Sequence, residues 1–128
     1  MELTLSGFDV YGAEVDDKGI NFVIRKAVDN FYDVQVKTAR LPGGNYVYLA
    51  KDGFELRRSM IAALVLLSER EPPEGFLIPA LAWQKPDSLL CDMNYEGMKS
   101  KPEFGIRLSA RNLPMLHRFT FEQQAALL

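Results

Sequence analysis

From Ile20 to Ala50 the chain alternates short apolar stretches, rich in β-branched and aromatic residues, with polar punctuation. Ile20 to Lys26 and Tyr32 to Thr38 read as two strands joined through "AVDN", whose Asp and Asn suit a turn. "LPGG", Leu41 to Gly44, marks a loop, and "NYVYLA" after it reads as a third strand that extends an antiparallel meander. If Lys26 pairs with Tyr32, then Asn21 falls opposite Lys37 and Val23 opposite Gln35, all on one face; a slip of one residue would split them.

After Gly53 the period changes. "FELRRSMIAALVLL" has helical spacing, yet its end, Ala62 to Leu67, equally suits a fully buried strand. A short helical turn followed by a strand is favoured over a long helix. The reason is that the polar, proline-bearing "SEREPPEG" leads into "FLIPA", a plausible partner strand. "SLLCDM" and "FGIRLS" read as further strands. "SARNLPMLHRF" opens with Ser109 as a cap and meets Pro114, which keeps any helix there short or kinked. "TFEQQAALL" closes as an amphipathic helix capped by Thr120 and docked through its apolar residues. These elements predict an α/β (α+β) fold over residues 1–128, read as a single domain, with a central mixed sheet built on the 20–50 meander and a few flanking helices.

Composition narrows the function. The single cysteine, Cys91, can make neither an internal disulfide nor a cysteine-based zinc cluster. No basic lead or long apolar core opens the chain, and the longest apolar run, Met60 to Leu67, is too short to span a bilayer, so a cytoplasmic location is expected. A net charge of -2 with 25% charged residues gives no global footprint for nucleic acid. Any such site has to be a local patch, for which Arg25, Lys26, Arg40, Arg57 and Arg58 are the candidates, although scattered charges are ordinarily just solvated. Apolar surface around Trp83 and the final "AALL" would instead suit a structural subunit.

The glycines fit no phosphate-binding loop, dinucleotide fingerprint or nucleophile elbow, and the lone His117 has no relay partner in sequence. "DDKG", Asp16 to Gly19, is by itself an ordinary turn. On a strand, Gln35 and Lys37 of "QVK" point to one face, as would any solvated pair two apart. Together they say more. Magnesium takes oxygen ligands, and a lysine beside it can position water and offset charge building on a phosphate. Acids ahead of one strand and Q-x-K on the next supply that constellation.

At these residues the chain resembles the PD-(D/E)XK nuclease superfamily, with its restriction-endonuclease-like fold, and in particular small bacterial members with a D-x-G-I-D stretch and Q-V-K in place of the commoner E-x-K. The resemblance assigns Asn21 to the metal-binding aspartate after the G-I pair, Gln35 to the second metal-site position and Lys37 to the catalytic lysine. Glu14 and Asp17 stand where that group also has acids. "NYVYLAKDGFEL", "LIPALAW" and "YEGMKSKPEFGIRLSARNLPML" extend the likeness over most of the chain. It implies Mg²⁺-dependent hydrolysis of DNA, with Arg25 and Arg40 near the nucleic acid, or a non-catalytic nucleic-acid- or protein-binding module of the same fold, as a homodimer in some settings. Two departures stand out. Asn21 and Gln35 carry no charge, and the family's leading helix is absent or reduced to Met1–Ser6, as in a shortened start.

Overall fold

The computed structural model describes residues 9–12, 22–27, 30–42 and 46–127. Asn21, Glu14, Asp16, Asp17 and the Met1–Ser6 segment therefore lie outside the described residues. Sheet A has the order β1-β2-β3-β5-β6, formed by β1 (Asp9–Gly12), β2 (Phe22–Ala27), β3 (Asn30–Arg40), β5 (Met60–Leu67) and β6 (Glu74–Pro79). All its pairs are antiparallel except β3 with β5, so the sheet is mixed, as expected. Sheet B has the order β4-β8-β7, from β4 (Tyr46–Ala50), β7 (Leu90–Met93) and β8 (Glu103–Arg107), and is antiparallel throughout.

The meander is therefore β1-β2-β3, and the 46–50 strand leaves it for the second sheet, correcting the expectation of a 20–50 meander. The place beside β3 goes to β5, whose uninterrupted "MIAALVLL" suits a strand covered on both faces in a parallel pair. No long helix forms at 54–67, nor the short helical turn: turns and bends lead directly into β5. Two 3-10 segments, Ala80–Gln84 and Leu113–Phe119, and a C-terminal helix α1 (Phe121–Leu127) complete the described elements. The helical segment near Pro114 starts after Asn112 rather than Ser109. The Asn112 amide donates to the Ser88 and Arg107 carbonyls and so ties this segment to one end of sheet B, where β7 begins and β8 finishes.

Alternation along the strands divides the core in two. Met60, Ala62, Leu64, Phe76 and Ile78 of sheet A meet Leu49, Leu90, Phe104 and Ile106 of sheet B in one cluster, which also takes in Phe54 and Trp83. The opposite face of sheet A, with Ile24, Val34, Ile61 and Leu77, packs against Ala125 and Phe121 of α1. Trp83 is only 1% exposed and its Nε1 donates to the Gly105 carbonyl at 3.1 Å, so it is a core anchor and not the exposed apolar surface anticipated. Of the final apolar residues, Ala125 is buried and Leu127 is exposed.

Candidate functional site

Strand β3 sets the geometry. Its even-numbered residues Tyr32 and Val34 belong to the α1 side of sheet A, so period-2 alternation sends Asp33, Gln35 and Lys37 to the other face. Their parallel partners agree: Asp33, Gln35 and Lys37 lie opposite Met60, Ala62 and Leu64, which line the core between the sheets. The shared face of Gln35 and Lys37 is thus present. Their register against β2 is not the expected one. Val23 pairs with Asp33 rather than Gln35, a shift of two residues: the hairpin closes more tightly, with Ala27 opposite Asn30, and a bulge between Arg25 and Ala27 adds the second residue on the β2 side.

Each member of the row has its own environment. Asp33 accepts from Arg57 Nη2 at 2.5 Å, and the same guanidinium donates to Ser59 and stands 3.8 Å from Glu55. The backbone N–H of Asp33 donates to the Ser59 carbonyl at 2.7 Å, which fixes the carboxylate against the turn before β5. Gln35 is 6% exposed, and its Oε1 is fully buried without a hydrogen-bond donor among the described residues. Such an orphan costs on the order of 1–3 kcal/mol, which native folds rarely leave uncompensated. Lys37 is half-buried, with Nζ 5.5 Å from the centroid of the Tyr48 ring, a cation–π distance.

Arg40 belongs to the even series of β3, opposite in alternation to Lys37, and is exposed near the strand end. Arg25 lies on β2 opposite Phe31. Arg57 is engaged by Asp33 and so is not a free cation, whereas Arg58 is exposed. His117 is exposed beside Leu113 and Thr120, away from the β3 row. Among the described residues no three His, Cys, Asp or Glu side chains converge as a metal cage, and no helix is long and apolar enough to cross a membrane. Asp33 was missed in the sequence, though the signal was there: D-x-Q-x-K is one alternating row two residues longer than Q-x-K.

No family model and no curated protein sequence matches the chain. Its structure is similar to that of Hjc, a Holliday junction resolvase from Archaeoglobus fulgidus, with a TM-score of 0.55 and 17% identity over 98% of this chain and 87% of that one. The mixed sheet with few helices matches the restriction-endonuclease-like fold of that resolvase.

Proposed function

We propose that this protein is nuclease-like and hydrolyses DNA phosphodiester bonds with a divalent metal, Mg²⁺ in the first instance, as a single cytoplasmic domain. The observation that carries the reading is the β3 row, where a buried amide oxygen without a donor stands two residues from a half-buried lysine on one strand face. A hard, unpartnered oxygen fits an oxygen-ligated ion. Gln35 would hold the metal together with Asn21, Asp17 and Glu14, while the Asp33 carboxylate on the same face is neutralised by Arg57. When bound, the ion supplies an acidified water and neutralises phosphate charge.

Lys37 orients the attacking water with its ammonium and offsets the charge that grows on the phosphoryl oxygens as the bond to the leaving oxygen breaks. Arg57 keeps the Asp33 carboxylate in place, so the row is preorganised. Arg25 and Arg40 hold the flanking phosphates. The neutral pair Asn21 and Gln35 favours a second reading, a binding module of this fold with lapsed chemistry, monomeric or paired as a homodimer.

Thermal melts with and without Mn²⁺, run beside cleavage of plasmid and single-stranded DNA, separate the two readings. Gln35→Glu leaves a buried carboxylate where an amide stood, so it lowers the melting temperature in chelator and Mn²⁺ restores it, because a ligand that binds only the folded chain stabilises it. Asn21→Asp follows the same pattern. Cleavage rises in both variants and disappears in Lys37→Ala. A flat metal response in the wild type, Gln35→Glu and Asn21→Asp, with no cleavage, would move the assignment to the binding module.

A further inference from the structure

The face of sheet B turned away from the core carries Tyr46, Tyr48, Cys91, Glu103, Gly105 and Arg107, the alternates of the buried Leu49, Leu90, Phe104 and Ile106. Gly105 is required there by a close approach: a side chain at this position would run into the hydroxyl and ring of Tyr46. The Tyr46 ring therefore lies over the sheet. Its Oη donates to Glu103 Oε2 at 2.5 Å and sits 3.6 Å from Cys91 Sγ. Burial first, then the bonds to Glu103 and Cys91, holds the phenol well above its ordinary pKa range, so it remains a donor.

Two tyrosines are thus presented to solvent on a rigid sheet, Tyr46 at 41% and Tyr48 at 55% exposure. Three cations stand near them, beside two acids, Glu103 at the Tyr46 hydroxyl and Glu69 in the cleft next to it. Lys37 Nζ stands over the Tyr48 ring, Arg40 shares with Tyr46 a cleft of about 330 Å³, and the exposed Arg107 pairs with Tyr46 in the strand register. None of these three takes part in an ion pair among the described residues.

Exposed rings among cations that make no ion pair among the described residues complement a polyanion that displays flat aromatic groups. A second copy of the chain would bring the same cations against these, and a purely apolar partner would leave them unused. A duplex keeps its bases stacked inside and offers the rings no face.

We propose that Tyr46 and Tyr48 form a stacking platform for unpaired bases, so that the chain takes nucleic acid with a single-stranded segment and leads its backbone toward Lys37; the last clause rests on the nuclease-like reading.

The test is fluorescence anisotropy with a labelled oligothymidine strand and a blunt duplex of equal length, in chelator so that cleavage plays no part. Tyr48→Ala should weaken single-strand binding about tenfold and leave duplex binding within about twofold, while Tyr48→Phe retains both, because the ring and not the hydroxyl does the stacking. Tyr46→Phe, which cuts the tie to Glu103 and keeps the ring, should retain most of the single-strand affinity. Equal losses on the two substrates, no loss in Tyr48→Ala, or no single-strand binding by the wild type would overturn the platform. So would sedimentation showing that Tyr48→Ala turns a dimer into a monomer, since the face would then be an interface between copies. The nuclease reading fails on different data: without metal-dependent cleavage but with the single-strand contrast intact, the platform stands and the hydrolytic assignment falls.

Discussion

Gln35 illustrates the conflict between stability and chemistry in a single side chain. A buried acceptor without a donor is destabilising, and a methionine of similar length removes the orphan while keeping the volume. Gln35→Met is therefore expected to raise stability by about 1 kcal/mol, read as a higher denaturation midpoint at unchanged m-value. A lower midpoint would mean that the amide has a stabilising role that the buried oxygen does not reveal. The residue's face was legible in the sequence because strand alternation needs only parity, and the bulge in the hairpin restores the parity that the tighter turn alone would have lost. Its pairing was not legible: the spacing of "AVDN" says nothing of an extra residue between Arg25 and Ala27. The ion pair of Asp33 was equally hidden, since its partner Arg57 is 24 residues away.

At the scale of elements, the start of β7 depends on one carboxylate. Asp87 Oδ1 accepts from the backbone N–H groups of Leu89 and Leu90 at 2.9 and 2.8 Å, and Oδ2 accepts from Arg118 at 2.7 Å, which joins this turn to the 3-10 segment before α1. Burial pushes the Asp87 pKa up, but the bonds from Leu90, Arg118 and Leu89 outweigh it, and the net shift is downward. Because the folded-state value is depressed, its stabilisation is complete above the ordinary aspartate pKa of about 3.9 and is lost as pH falls through the lower folded value. Asp87→Asn should cost about 1–3 kcal/mol near neutrality and show a shallower loss of stability on acidification than wild type, measured by melts through the acid range. A variant with the wild-type acid slope would remove Asp87 from the titration. Strand existence was readable here from short apolar runs, but the allegiance of β4 was not: "NYVYLA" says that one face is covered, not by which sheet, and its partner β8 lies far down the chain.

For the molecule as a whole, the core between the two sheets is centred on an aromatic junction. Phe54 meets Trp83 edge-on at 5.4 Å and Phe104 at 6.2 Å, with Trp83 and Phe104 6.1 Å apart. All three are buried, and they come from a turn, a 3-10 segment and β8. Phe54→Ala is expected to cost about 3–5 kcal/mol, a large part of the roughly 5–15 kcal/mol that holds a domain of ordinary size folded. Chemical denaturation should show it, and a loss below about 1 kcal/mol would mean that the junction closes around the gap. Such a junction could not be read from the sequence, because hydrophobicity marks each ring as interior without saying that they meet.

The order of sheet B also has a consequence in time. Its central strand β8 is the last of the three to leave the ribosome, while β4 and β7 touch only through it. Sheet A has all its strands once Pro79 has been made, but the tyrosine-bearing β4 must wait as a single strand until the chain reaches Arg107. Pairings so distant in sequence form slowly and leave edges open to other chains in the meantime. A nascent or truncated chain ending before Glu103 therefore presents two unpaired strands and an uncovered face of the first sheet, which makes it a natural client for chaperones and proteases.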